Sequence, residues 1–143
     1  MDIGLVYSHE ELKIGQFRYS AQLLKHLKNL LGEDLIEHPL KKKEYELFGK
    51  PVAGYFTLWT QKLLSNFGDD VVHALDHVCA PKNTDVVTIH DLIPFKYPDI
   101  YMGSTHDKIG HLFNKWFAER IPYFIVQTDH VKNDLVEIWG IEE

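Results

Sequence analysis

The sequence predicts an α/β domain: a mostly parallel, Rossmann-like sheet with helices on both faces. Three observations predict it. Short apolar and β-branched runs alternate with stretches of helical spacing along the chain. The runs are continuously apolar, as strands covered on both faces are. Glycine, proline and asparagine fall between the runs and punctuate them.

The elements follow in order. Ile3-Gly4-Leu5-Val6-Tyr7 reads as a buried first strand. Ser8 to Gly15 is polar and ends on glycine, so it reads as a loop. Phe17, Ala21, Leu24, Leu27 and Leu31 recur at spacings of three and four, with Leu23 and Leu30 widening the stripe. Lys25, Lys28 and Asn29 fall on the other face, and Gly32 is the expected stop. Asp34 to His38 reads as a short strand ended by Pro39, and Leu40 to Gly54 is irregular. Within the aromatic stretch Tyr55 to Phe67, Trp59 to Leu64 has a helical pattern. Gly68-Asp69-Asp70 turns the chain into a strand over Val71 to Leu75, and Pro81-Lys82-Asn83 turns it again. Val86-Val87-Thr88-Ile89 is β-branched throughout and reads as a strand.

Ile93 to Asp107 carries Pro94, Pro98 and Gly103 and is expected to be a long surface loop. Ile109, Leu112, Phe113, Trp116 and Phe117 mark a helix up to Ile121, closed by Pro122. Tyr123 to Val126 is the last strand. Val131, Leu135 and Ile138 face one side of a final helix that Gly140 closes. Trp59, Trp116 and Trp139 lie on apolar stripes and are expected in the core, while His106, His111 and His130 are expected at the surface.

The 143 residues suffice for one domain with a core, and no internal linker is visible. A formal charge of -6 repels phosphate backbones and argues against nucleic acid as the main partner. Lys41-Lys42-Lys43 reads as a solvated face, with contact to a membrane surface as its other use. The single cysteine, Cys79, permits no intrachain disulfide and suits a reducing compartment. No run approaches the ~20 apolar residues of a membrane span, and the N-terminus lacks a secretory pattern. The expected location is cytoplasmic.

In a parallel sheet, right-handed crossovers bring all strand C-terminal ends to one edge, where ligands bind. That rule selects Tyr7 to Gly15, Asp76-His77, His90 to Pro94 and Thr128 to Lys132. His90-Asp91 leaves the β-branched strand at this edge. An imidazole there suits a hydrogen bond to a sugar hydroxyl, with the carboxylate orienting it; the alternative is a pair that only caps the loop. Gly15 allows close backbone approach at a helix start, although a single glycine is also an ordinary loop residue. His73 and His77 have an H-x3-H spacing, but it runs off a strand and lacks the following glutamate, so no metal is expected. A metal phosphohydrolase built on a His-Asp pair needs an all-helical setting, and a serine or cysteine hydrolase lacks its motif.

Asp85-Val86-Val87-Thr88-Ile89-His90-Asp91-Leu92-Ile93-Pro94 with Tyr97-Pro98 resembles the central segment of family 4 (group 1) glycosyltransferases. Phe124-Ile125-Val126-Gln127-Thr128-Asp129-His130-Val131-Lys132-Asn133-Asp134-Leu135 resembles the segment near the end of their N-terminal domain. Gly15-Gln16-Phe17-Arg18-Tyr19 is similar to their glycine loop and helix entry, and Asp70-Val71-Val72-His73-Ala74 to the strand between. The resemblance spans nearly the whole chain in the right order.

It implies the N-terminal, acceptor-side half of a GT-B fold, covering residues 1–143. The donor-binding C-terminal domain would act in cis or in trans, since none of its motifs is found here. It further implies retaining transfer of a sugar from a nucleotide-diphosphate donor, without metal or other cofactor, to an unidentified acceptor. His90 would be the catalytic residue beside the donor sugar. Gly15, Gln16, Arg18, Asp91, Thr128 and Lys132 would bind substrate. Phe17, Gln127 and Val131 depart from the family pattern. Two rivals stand beside this reading: an interaction module that keeps the fold without the chemistry, and a flavodoxin-like nucleotide binder.

Overall fold

In the computed structural model, residues 1–8, 15–40, 45–47, 50–52 and 54–142 are described, with side chains except those of 15–17, 45–47, 50–52 and 54–58. The elements run β1 (Ile3–Ser8), α1 (Gly15–Leu31), β2 (Leu35–Leu40), β3 (Tyr45–Leu47), β4 (Lys50–Val52), α2 (Gly54–Leu64) and β5 (Val71–Ala74). They continue as β6 (Val86–Ile89), α3 (Ile93–Lys96), α4 (Pro98–Tyr101), α5 (Thr105–Ala118), β7 (Tyr123–Val126) and α6 (Asp129–Asp134), which runs on as a π turn over Leu135–Trp139. Between its two end residues, the expected loop from Ser8 to Gly15 lies outside the described residues.

Five strands form one all-parallel sheet in the order β2-β1-β5-β6-β7, the predicted α/β architecture. The order reverses at β1, which has β2 on one side and β5 on the other. A crevice therefore opens at the C-terminal ends of β1 and β5. Pairing of Val6 with Ala74, Ala74 with Val87 and Ile89 with Val126 aligns one apolar face across the sheet. Ala118, Ile121, Val131, Leu135 and Trp139 close over it as the main core. Leu5, His73 and Thr88 point the other way, toward α1, where Lys28 pairs with Glu37 of β2.

α2 docks on α5 through a buried lysine. Lys62 is 0% exposed; its Nζ donates to Asn114 Oδ1 at 2.9 Å and to the His77 carbonyl at 3.3 Å. The ammonium lies 5.0 Å from the centroid of the Phe117 ring. Burial pushes its pKa down to about 8, against the opposing pull of the Cys79 and Asp76 charges. No described helix is long and apolar enough to cross a membrane.

The structure corrects several expectations. Pro39 does not end β2, which continues to Leu40: β2 is the sheet edge, where a missing N–H costs no ladder bond. The irregular stretch from Leu40 to Gly54 contains the antiparallel pair β3–β4 among its described residues. The expected loop from Ile93 to Asp107 holds α3 and α4, because Pro94 and Pro98 fall in first helical turns, where proline is tolerated. α5 begins at Thr105, four residues before the expected Ile109. Ser104 caps it, its Oγ accepting from the Asp107 N–H at 3.1 Å while donating to the Asp107 carboxylate at 2.6 Å.

Trp139 is in the core as expected, but Trp116 is 49% exposed, covered on one ring face by the Arg120 guanidinium. His111 is half-buried rather than at the surface, and burial first, then the His77 charge, lowers its pKa. The wider π winding after α6 buries Trp139 more fully than the expected Ile138. Gly140 then ends the helix with φ 69°, and Gly32 ends α1 with φ 56°, both left-handed.

Candidate functional site at the strand ends

The four β-branched residues of β6 favour extended backbone, so the chain leaves the sheet at His90. Strand alternation puts His90 on the same face as Val86 and Thr88, the side covered by α1. Ile89 pairs with Val126 across β6 and β7, which brings the next residues, His90 and Gln127, opposite each other. Their side chains meet, with Gln127 Nε2 3.0 Å from His90 Nδ1. On the other side, His90 Nε2 lies 2.9 Å from the Leu75 carbonyl at the end of β5. A carbonyl only accepts, so Nε2 carries the proton and Nδ1 accepts from the Gln127 amide. The Tyr19 ring, one helical turn beyond Gly15, packs edge-on against the imidazole at 5.2 Å and 77°.

Asp76 follows β5 at the same edge. Its Oδ1 accepts from the Val78 N–H at 2.8 Å and lies 3.2 Å from His77 Nδ1, close enough for charge attraction though not aligned as a hydrogen bond. Burial works to raise the Asp76 pKa. The His77 imidazole and the Val78 N–H outweigh it and hold the carboxyl below its ordinary value. The strand ends therefore present one carboxylate held ionised beside an imidazole fixed from two sides.

The other predicted residues separate into groups. Gly15 and Gln16 open α1, where helix N–H groups lack intrahelical partners. Arg18 follows and is exposed. Asp91 turns to its own backbone: its Oδ1 accepts from the Ile93 N–H at 3.1 Å and shapes the entry to α3. It does not orient His90 through a hydrogen bond; Gln127 and Leu75 do. Thr128 caps α6, its Oγ1 accepting from the Val131 N–H at 3.3 Å, and Lys132 is exposed in the following turn. Of the predicted set, His90 is joined to the α1 entry, through Tyr19, and stands next to the Thr128 cap through Gln127.

His73 and His77 do not converge. His73 Nε2 contacts Thr88 Oγ1 at 2.9 Å beneath α1, and burial pushes the ring down to about 4, so it stays neutral. No cluster of three or more His, Cys, Asp or Glu is placed to hold a metal ion among the described residues. The Cys79 thiol is buried and pushed up to about 12, mainly by burial and then by the Asp76 charge, so it is not an activated nucleophile.

Gln127 was visible in the sequence only as a departure from a family pattern. Its partner is assigned by the β6–β7 register, which no local sequence signal encodes. Comparisons with protein-family models, with curated proteins and with solved structures find no match for this chain.

Proposed function

We propose that this chain is the acceptor-side half of a retaining glycosyltransferase, moving a sugar from a nucleotide-sugar donor to a glycan, lipid or small-molecule acceptor. The observation that carries the reading is His90 at the C-terminal end of β6, against Tyr19 of α1 and beside the crevice where the strand order reverses. A ligand in that crevice would meet the His90 imidazole beside Tyr19 of α1. No metal or cofactor is invoked. Helix N–H groups and a donor domain's basic side chains would balance the leaving diphosphate.

The donor domain completes the site in cis or in trans. Ile93 of α3, Ile100 and Tyr101 of α4, and Tyr97 between the two helices, just past β6, are exposed large side chains. Such a cluster favours a partner surface over a free-standing small-molecule binder. The test is to mix the purified chain with a family 4 donor domain and follow a radiolabelled sugar. Transfer is expected, with a loss of about a hundredfold or more in His90→Ala. No transfer with a correctly folded donor domain would overturn the proposal.

One observation favours a second reading, the interaction module. Both His90 nitrogens are engaged by the protein, and Asp91 caps a turn, so the pair also serves the fold. That reading expects the His90→Ala chain to lose stability and to leave partner binding unchanged.

A further inference from the structure

We infer that Gln127 is a positioning residue that donates to Nδ1 of His90 and holds the ring in the orientation that presents this lone pair, so that the imidazole receives a sugar hydroxyl rather than donating to a phosphate. For its consequence in catalysis this rests on the sugar-transfer reading; the geometry itself does not. The imidazole bridges three strands at their ends. Its Nε2–H is spent on the Leu75 carbonyl of the β5 exit at 2.9 Å, and its Nδ1 faces the Gln127 amide of the β7 exit at 3.0 Å. The Leu75 contact is to main chain and is set by the β5–β6 ladder. The Gln127 contact is to an exposed side chain, so it is the replaceable one.

A hydroxyl that displaces the Gln127 amide meets the Nδ1 lone pair and donates to it. A phosphate oxygen in the same place brings a second lone pair and is repelled. Among the described residues, the charged and titratable groups around the ring are Asp76 from the β5 exit, whose charge acts on it, and Tyr19 from α1. Asp91, its chain neighbour, is turned to the Ile93 N–H. None of these takes Nδ1; the Leu75 carbonyl fixes the tautomer, and the Gln127 amide donates to the lone pair this leaves on Nδ1. A glutamate in its place reverses the polarity, because a carboxylate accepts and cannot donate.

The experiment is nitrogen-15 NMR of the isolated chain near neutral pH, reading the imidazole nitrogens of His90. In the parent chain, Nδ1 is expected to be unprotonated and coupled through the hydrogen bond to the Gln127 amide nitrogen. In Gln127→Glu, Nδ1 is expected to become protonated, and in Gln127→Leu the coupling is lost while Nε2 keeps its proton. A parent His90 that carries its proton on Nδ1, or a Gln127→Glu chain that leaves Nδ1 unprotonated, would overturn the inference. The parent measurement needs no variant to fold.

With a donor domain present, Gln127→Glu is expected to lower kcat about tenfold, the worth of roughly one hydrogen bond in the transition state. Unchanged kcat in this variant would overturn the catalytic consequence. Because the spectra need neither donor nor acceptor, they separate the two ideas. Spectra as expected with no transfer in the parent protein would retain the positioning and remove the transferase reading.

Discussion

Lys62 offers a stability measurement whose size follows from the structure. Its amine is fully enclosed between α2 and α5, with neutral oxygens of Asn114 and His77 as hydrogen-bond acceptors. Its pKa falls from 10.5 to about 8 on folding, with burial the largest cause. At about 1.4 kcal/mol per pH unit, the charged amine costs the fold about 3 kcal/mol. The cost is complete below pH 8 and is relieved as pH rises toward 10.5, because in that window the unfolded chain binds more protons.

The parent protein alone hides this relief. Cys79 and Tyr7 are both pushed up to about 12 by burial first, so the unfolded chain loses those protons earlier and stability falls as pH rises through their range. Lys62→Met isolates the amine. Its neutral-pH stability also reflects the lost bonds to Asn114 and His77, but neither acceptor titrates there. The stability difference between variant and parent should therefore move by about 2 kcal/mol in the parent's favour between pH 7 and pH 10. Urea unfolding at several pH values, with both chains in a Cys79→Ala background, reads this difference. Parallel curves would refute the claim that an ammonium is held in the core.

Three further outcomes are expected. His73 stays neutral in the fold down to about 4, against 6.5 in the open chain, so stability present above 6.5 is lost as pH falls toward 4. His73→Gln should make that acid limb shallower by about 3 kcal/mol in urea titrations, and an unchanged limb would contradict it. Gly4→Ala should cost about 1–3 kcal/mol, because the new Cβ falls on the Asp69 carboxylate, which His38 pins at 2.6 Å beneath the Phe67 ring. A paired Gly4→Ala, Asp69→Ala chain should recover part of the clash penalty in the same denaturation assay. Cys79 should resist an aromatic disulfide reagent in the native protein and react at once in urea; native labelling at the rate of a free thiol would show that it is not buried.

Much of the fold was legible in sequence because its signals are local. The β-branched run Val86 to Ile89 and the apolar run Ile3 to Tyr7 are strands in the structure. Gly32 and Gly140 end helices where their left-handed backbone requires glycine. The misread segments are those where one residue has two uses. Pro94 and Pro98 suggest a loop, yet proline also starts helices; Pro39 suggests a strand end, yet an edge strand accepts it. At the site, His90 was legible from its place after a strand. Its partners were not: Asp91, adjacent in sequence, bonds its own backbone, while Gln127, thirty-seven residues away, takes the ring.

By itself, the sequence determined the chain order of the five sheet strands and of α1, α2, α5 and α6, the edge of the sheet at which polar residues gather, and the exclusion of an intrachain disulfide. These follow from periodicity and residue type, which act over a few residues. The tertiary structure alone decided the strand order, and with it the register that sets His90 between Leu75 and Gln127 and the packing that closes α5 over the Lys62 amine. The reason is physical: a tautomer, a buried charge and a crevice depend on which distant groups exclude water from the same few ångströms, and only the packed chain brings those groups together.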